Sequence, residues 1–256
     1  MSDPRTILIT GASRSIGRAL AAHYAGAGHR VFGCARGDSD LAHDNYTHIK
    51  ADITDEAAVR DVFKAVLDAG CVIDHLINNA GITQSRPALL TGSAEASDIL
   101  ETNLVGAFTV LRETIKHMMR AKHGRIVNIS SINVPLGSVG GALYNASKAG
   151  LENLGHTLAR EIGSADITIN TVGLSLVEGS GMAEGLSDKG LADKQAELIK
   201  PDLITTEEIA HAVDFFAAGA AGNMFCFFNC QNIWGPTKKV FKSQKEAFSW
   251  GSRPHQ

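Results

Sequence analysis

The stretch that decides the fold is "TILITGASRSIGRAL", residues 6–20. A short run of apolar and β-branched residues, typical of a buried strand, leads into a turn that contains glycine and then into a helical pattern. Such a turn lets the backbone come close to a phosphate group, while the helix that follows offers unpaired N–H groups. Because helix starts are often glycine-rich, the turn alone is weak evidence for a nucleotide site. Its place between the first strand and the first helix favours nucleotide binding.

Working outward, the chain alternates short apolar strands with longer helical patterns. Strands are predicted at 6–10, 30–36, 47–52, 73–81 with its exit loop, 124–131, 166–172 and 223–229. Helices are predicted at 15–28, 54–70 with Thr54 as N-cap, 94–120, 145–162 and 206–217. This alternation predicts a three-layer, doubly wound Rossmann-type α/β fold with a seven-stranded parallel sheet. No interior linker divides residues 1–256, so one domain is expected.

The bulk composition excludes several classes of protein. With 256 residues, 44% hydrophobic and 20% charged, the chain can bury a core and is not expected to be disordered. A net charge of −3 gives no attraction to nucleic acid or to an anionic membrane. The sequence shows no secretory leader or membrane span, so a cytoplasmic protein is expected. Neither the cysteines nor the histidines have metal-ligand spacing, so no metal site is expected and the cysteines are predicted to be free thiols.

The glycine turn carries a specific resemblance. "TGASRSIG", residues 10–17, resembles the TGxxxGxG turn of the short-chain dehydrogenase/reductase family, with Ser15 where the middle glycine normally stands. The resemblance implies that the turn binds a nicotinamide dinucleotide through Gly11, Ser13, Arg14, Ser15, Ile16 and Gly17. If Ser15 must adopt a positive φ, some loss of cofactor affinity is expected.

The end of the second predicted strand bears on the choice of cofactor. An acid there would accept a hydrogen bond from the ribose 2′-hydroxyl of NAD and repel the 2′-phosphate of NADP. Here Ala35 stands at that place, Arg36 follows, and Arg14 in the turn can lie nearby. Two guanidinium groups without a carboxylate predict NADP(H). The alternative is that Arg36 simply extends into solvent.

Two other segments match the family's cofactor-binding pattern, and a third, which departs from it, is still expected to contact the cofactor. Asp52 and Ile53 follow the third strand, where the resemblance implies contact with the adenine ring. "NNAG", Asn78–Gly81, follows the fourth strand, and the resemblance implies that Asn79, Ala80 and Gly81 pass close to the cofactor. By itself it could be an ordinary loop. Val177, after the sixth strand, is expected to offer backbone hydrogen bonds to the nicotinamide carboxamide.

The candidate catalytic residues lie around "YNASKAG", residues 144–150. Tyr144 and Lys148 share one helix face, and the ammonium group is expected to lower the phenol pKa from about 10 toward neutrality. The resemblance implies that Tyr144 donates the proton, Ser131 binds the substrate carbonyl and Lys148 holds the nicotinamide ribose. It also implies that Asn103, in "ETNLVGAF", holds a water linked to Lys148. Taken singly, each could be an ordinary structural residue.

The sequence departs from the family pattern after strand six and near its end. Leu174 and Ser175 replace the usual Pro-Gly pair, which predicts a different loop path and puts nicotinamide positioning in doubt. Residues 175–205 are predicted to form a substrate lid. The lysines in it could meet an acidic carrier or belong to a surface helix: Lys189, Lys194 and Lys200. The tail 236–256 and the aromatic residues spaced by seven are predicted to pack on a partner subunit or to be solvated: Trp234, Phe241 and Phe248.

These observations predict an NADP(H)-dependent enzyme that reduces a ketone to a secondary alcohol or runs the reverse reaction. In the most similar branch, that of the 3-oxoacyl-ACP reductases, the commonest substrates are 3-oxoacyl thioesters. The alternatives are a sugar or polyol dehydrogenase and a non-catalytic NADP(H)-binding sensor or scaffold. Beyond a small carbonyl or alcohol substrate, the expected partner is a second copy of the chain. The resemblance implies a homodimer or homotetramer through helices 94–120 and 145–162, with neither nucleic acid nor membrane as partner.

Overall fold

The structure, a computed structural model, describes residues 4–163, 165–180, 192, 195, 202–218 and 227–229. The described strands form one parallel sheet in the order β3-β2-β1-β4-β5-β6-β7. Their bounds are β1 Thr6–Thr10, β2 Arg30–Ala35, β3 Tyr46–Lys50, β4 His75–Asn78, β5 Gly124–Ser131, β6 Ile167–Leu174 and β7 Phe227–Asn229. The order reverses beside β1, which opens a crevice at the carboxyl ends of β1 and β4.

Helices cover both faces of the sheet. They are α1 Ser15–Gly26, α2 Glu56–Asp68, α3 Ser93–Leu100, α4 Ala107–Ala121, α5 Asn133–Leu136, α6 Ala142–Glu161 and α7 Thr206–Ala217. One buried apolar cluster joins the sheet to α1 and α7, and a second joins the opposite face to α2, α4 and α6. Because β strands and covering helices are apolar at the faces that meet, burial drives this layering. The predicted three-layer, seven-stranded α/β fold is confirmed.

Two local predictions about helices are wrong. The N-cap of α2 is Asp55 rather than Thr54, because the Asp55 carboxylate accepts hydrogen bonds from the first-turn N–H groups, whereas Thr54 donates to Asp52. The single helix expected at 94–120 is interrupted by a π-helical turn, Glu101–Gly106, between α3 and α4. Such turns widen a helix locally and occur often at functional sites.

Some predicted features lie outside the described residues. The lid is described only at 175–180, 192, 195 and 202–205, so Lys189, Lys194 and Lys200 fall outside. The tail, Trp234, Phe241, Phe248, Cys226 and Cys230 also fall outside. Cys34 and Cys71, which the structure does describe, are free thiols, as predicted. None of the described helices has both the length and the apolarity that a membrane span needs.

Candidate active site

The glycine turn is packed tightly against the loop that follows β4. Gly11 has a φ of +70°, and a Cβ added there would lie 2.9 Å from the Ala80 Cα atom. A Cβ added at Gly17 would lie 2.3 Å from the Gly11 carbonyl oxygen and 2.6 Å from Asn79 Nδ2. No side chain fits at either position, so both glycines are needed for the turn and the "NNAG" loop to form one wall of the crevice.

Thr10, which the sequence analysis did not select, joins these two segments. Its buried hydroxyl accepts hydrogen bonds from the backbone N–H of Asn79 (3.0 Å) and of Ala80 (2.9 Å). In return, Asn79 Nδ2 donates to the Thr10 carbonyl oxygen at 2.9 Å. The partners lie about seventy residues apart in the chain, so local sequence patterns could not reveal the contact.

Ser15 occupies the left-handed region of backbone space, with a φ of +51°. This conformation costs a residue with a Cβ about 1 kcal/mol relative to glycine. The turn therefore holds a strained residue at the position where the family has its middle glycine.

Replacing Ser15 by Gly is expected to raise the free energy of unfolding by about 1 kcal/mol and Tm by about 2–4 °C, because the strain is relieved. Thermal denaturation followed by circular dichroism measures this change. Ser13, two residues earlier, has no positive φ, so Ser13→Gly is the matched control and should lower Tm. A fall in Tm for both variants would contradict the strain at Ser15.

The loop after β2 meets the glycine turn. A Cβ added at Gly37 would lie 3.9 Å from Ser13 Oγ. Arg14 and Arg36 are both exposed here, on the two sides of this junction. Among the residues that the structure describes, neither takes part in an ion pair. Both guanidinium groups therefore remain available to an anion.

The acids of the same loop are already paired. Asp38 accepts from Lys50 Nζ at 3.3 Å, and Asp40 forms an ion pair with Arg18. Each carboxylate thus has its own cation. The positive charge of Arg36 is not cancelled by the two aspartates that follow it in sequence.

The predicted proton-transfer residues converge where β5 ends and α6 begins. Tyr144, Lys148 and Ser131 are exposed by only 7%, 4% and 5%. Lys148 Nζ donates to the Ile129 carbonyl oxygen at 2.7 Å and lies 5.9 Å from the centroid of the Tyr144 ring. Ser131, the last residue of β5, accepts a hydrogen bond at Oγ from the Asn133 N–H at 3.1 Å. The spacing of Tyr144 and Lys148 on one helix face brings them together as expected.

The pKa of Tyr144 does not follow the sequence expectation. Burial raises it above the ordinary value, and a hydrogen bond with Ser131 only partly opposes the rise. The expected lowering by Lys148 is wrong for this structure, because burial dominates and the ammonium group is directed to the Ile129 carbonyl. Burial lowers the pKa of Lys148 to about 8, against the opposing charge of Glu152.

Asn103 lies in the π-helical turn and is fully buried. Its Oδ1 accepts from the Ile82 N–H at 2.8 Å, and its Nδ2 donates to the Ile82 carbonyl at 2.9 Å and to Ser147 Oγ at 3.1 Å. The amide therefore ties the loop after β4 to α6. A Cβ added at Gly81 would lie 3.2 Å from Asn103 Oδ1 and 3.5 Å from Lys148 Nζ. A water held by Asn103 stays a prediction.

Gln84 is a second residue that the sequence analysis missed. It is exposed by only 8%, and its Oε1 accepts from the backbone N–H of Leu143 at 2.8 Å and of Tyr144 at 3.4 Å. These N–H groups belong to the first turn of α6 and have no acceptor within the helix. Gln84 therefore caps α6 and fixes the position at which Tyr144 enters the site.

The segment after β6 carries Leu174 and Ser175 where the family has a Pro-Gly pair, and a loop path different from the family's stays a prediction. Leu174 continues the strand, and its carbonyl accepts from the Ile132 N–H at 2.9 Å. Val177 then pairs with Ile204 in an isolated parallel bridge. The Leu176 carbonyl and the Glu178 N–H make the hydrogen bonds of this bridge, so the N–H of Val177 is not used in it. Among the described atoms, the buried hydroxyl of Ser175 has no hydrogen-bond partner.

Asp52 and Ile53 follow β3 and make contacts with protein groups. Asp52 Oδ1 accepts from both the N–H and the hydroxyl of Thr54. Ile53 is 6% exposed and packs beneath Gly106, where an added Cβ would lie 2.9 Å from Ile53 Cγ1. Contact of these two residues with an adenine ring stays a prediction.

Taken together, these features fit a nicotinamide dinucleotide. Close-packed glycines form a cradle beside the N-terminus of α1, where phosphate groups bind. One unpaired guanidinium group lies in the glycine turn and another at the end of β2, and the unpartnered Ser175 hydroxyl follows β6. The described residues bring together no group of three or more metal-ligating side chains.

Comparison with known proteins agrees with this geometry. Residues 5–190 match the sequence pattern of the short chain dehydrogenase family. The chain is 37% identical over 225 residues to the 3-oxoacyl-(acyl-carrier-protein) reductase of Escherichia coli and 35% identical to that of Vibrio cholerae, covering 86% of this chain and 92% of each relative. The crystal structure of levodione reductase superposes with a TM-score of 0.83 at 23% identity, over 93% of this chain and 98% of that one, which shows a shared fold.

Proposed function

Because the chain belongs to the short-chain dehydrogenase/reductase family and resembles its 3-oxoacyl-ACP reductases, we propose that it reduces a ketone to a secondary alcohol with NADPH. The family places it among oxidoreductases that act on carbonyl or CH–OH groups and bind a nicotinamide cofactor. The observation that carries the finer proposal is the convergence of Ser131, Tyr144 and Lys148 beside the glycine cradle. The reaction is proposed to take place in the cytoplasm.

The turn 10–17, the "NNAG" loop and Arg36 would hold the cofactor, with Tyr144 and Lys148 lining its nicotinamide end. When bound, the nicotinamide supplies the hydride for reduction or accepts one in the reverse direction. Ser131 donates a hydrogen bond to the substrate carbonyl oxygen and stabilises the charge that develops there. Tyr144 then donates its phenolic proton to that oxygen. Because burial raises its pKa above the ordinary value of about 10, the phenol carries its proton at neutral pH.

The surroundings of the site favour an apolar substrate. The loop after β4 and the loop after α5 are joined by a hydrogen bond from the Arg86 N–H to the Gly140 carbonyl at 3.0 Å, and Gly140 lies shortly before the helix that carries Tyr144. Large apolar side chains on these loops and at the end of α5 are exposed: Leu89, Leu90, Val139 and Leu136. An acyl chain could cover them, whereas a sugar or polyol would call for polar partners. This supports 3-oxoacyl thioesters, the substrate class in the relatives' name, as the first class to test.

The direct test is to mix the purified protein with NADPH and acetoacetyl-coenzyme A and to follow absorbance at 340 nm. Loss of NADPH that depends on the thioester supports the proposal. Polyols mixed with NADP+ test the alternative, a sugar or polyol dehydrogenase, in parallel. Nicotinamide fluorescence reports binding separately. Binding without turnover on any carbonyl compound would favour the non-catalytic sensor. The sensor is the second candidate because Leu174 and Ser175 stand where the family has a Pro-Gly pair.

We also propose that the chain assembles as a homodimer or homotetramer through α4 and α6. These helices border an apolar groove of about 400 Å³, open to solvent, that Val105 lines. At Gly150, on its floor, an added Cβ would lie 3.1 Å from Leu104. Helices of a second copy that packed across this groove would bury an apolar surface that is exposed to solvent in a monomer.

Introducing a charge in the groove is expected to dissociate the assembly. Val105→Asp should convert the protein to monomer, because a carboxylate would be buried without a partner. Size-exclusion chromatography with light scattering measures the mass. Val72, exposed to a similar degree but away from the groove, supplies the control Val72→Asp. An unchanged mass for Val105→Asp would exclude this face.

A further inference from the structure

A buried acid lies one helical turn beyond Lys148. Glu152 is on α6, is exposed by only 8% and has no part in the proton transfer described above. Residues four apart on a helix share a face, so Glu152 and Lys148 (4% exposed) point the same way. Acids are rarely buried to this extent unless they are paired and hydrogen-bonded, because removal of a charge from water is costly.

The hydrogen bonds of this acid lead to the catalytic strand. Ser130 Oγ donates to Glu152 Oε1, and Ser130 directly precedes Ser131 in β5. Lys148 Nζ donates to the Ile129 carbonyl, the residue before Ser130. Side chains at successive turns of α6 therefore hold consecutive residues at the end of β5.

The charges around Lys148 are few. Tyr144 and Glu152, both on α6, are the titratable groups that act on or face it in the described part of the chain. The other elements present uncharged groups: the Ile129 carbonyl from β5, Gly81 from the loop after β4 and the Asn103 amide from the π-helical turn. Burial disfavours the ammonium and lowers the pKa of Lys148 to about 8, while Glu152 opposes the fall. In turn, Lys148 and Ser130 oppose the rise that burial causes in the pKa of Glu152.

We propose that Glu152 is a positioning residue: its carboxylate keeps the Lys148 side chain charged in a dry site, and its hydrogen bond to Ser130 fixes the backbone that carries Ser131. The role of Lys148 in reduction rests on the proposed function, whereas the coupling between Glu152 and Lys148 does not. Loss of the carboxylate charge should make the ammonium less stable at alkaline pH.

The test is a pH titration of the Lys148 Nζ resonance in protein labelled with ¹⁵N-lysine, assigned with Lys148→Arg. Glu152→Gln keeps a hydrogen-bond acceptor for Ser130 and removes only the charge. The Lys148 pKa should then fall by about one unit, as expected for loss of a nearby opposite charge. The alkaline limb of kcat for ketone reduction should move toward neutrality by the same amount, because the ammonium form is the active one.

Controls separate this role from a general structural one. Glu152→Asp keeps the charge and should restore most of the Lys148 pKa. Glu161→Gln removes an exposed charge from the same helix and should leave it unchanged. In the unaltered protein, the ¹³C resonance of the Glu152 carboxyl carbon should show a second inflection at the Lys148 pKa. This last measurement needs no variant, substrate or cofactor, so it stands even if Glu152→Gln fails to fold or the proposed reaction is not found. A missing inflection, or an unchanged Lys148 pKa in Glu152→Gln, overturns the proposal.

Discussion

Replacing Tyr144 by Phe is expected to lower kcat for ketone reduction by about a thousandfold, the size of effect that loss of a general acid produces. The phenol is buried beside Ser131, and its pKa is raised, so at neutral pH it carries the proton that the reduced carbonyl oxygen needs. Phe keeps the ring that packs there and removes only the hydroxyl. Stopped-flow absorbance at 340 nm, with NADPH and ketone both saturating, measures the chemical step.

Two further measurements make this result specific to proton donation. NADPH affinity, followed by nicotinamide fluorescence, should change by less than about twofold, because the ring remains. Tyr24→Phe, which removes a hydroxyl that donates to Asp214 Oδ1 on α7 at 3.0 Å, should leave kcat nearly unchanged. If Tyr144→Phe retained more than a tenth of the activity, another group would have to supply the proton, and the assignment of Tyr144 would fail.

The parts of the fold and of the site that are determined by nearby residues in the sequence could be predicted from the sequence. The strand, turn and helix of residues 6–26 follow from local apolar periodicity and from glycine positions, and the structure confirms them. Tyr144 and Lys148 were placed together by helical geometry alone. The sequence raises the left-handed conformation of Ser15 only as a condition, through the family resemblance of the turn, and the structure shows that Ser15 adopts it.

Other features depend on contacts between distant segments and left no local signal. The Thr10 hydroxyl binds the "NNAG" backbone, and Gln84 caps α6. The interruption of the helix at Asn103 accompanies its side-chain bonds to the Ile82 backbone. The predicted lowering of the Tyr144 pKa is wrong because that pKa also depends on contacts between distant segments. Desolvation depends on the packing around the ring, whereas the sequence shows only the charge four residues away.

Replacing Arg36 by Asp is expected to change the ratio of NADPH to NADH affinity by about a thousandfold. Loss of a charge-assisted hydrogen bond to the 2′-phosphate costs about 1.5–3 kcal/mol, which is roughly tenfold to more than a hundredfold. The new carboxylate adds repulsion of that phosphate and can accept a hydrogen bond from the ribose 2′-hydroxyl of NADH. Separate fluorescence titrations with NADPH and NADH measure both affinities.

The ion pairs in the loop after β2 are the reason to expect a large effect from Arg36→Asp. Asp38 and Asp40 are held by Lys50 and Arg18, so the guanidinium of Arg36 acts without a competing carboxylate in the described structure. The control Arg160→Asp makes the same change in net charge in the last turn of α6, the end of the helix opposite Tyr144. It should leave the ratio within about twofold, because charges that distant are screened by salt. A ratio unchanged by Arg36→Asp would mean that Arg36 extends into solvent and that the end of β2 does not select the cofactor.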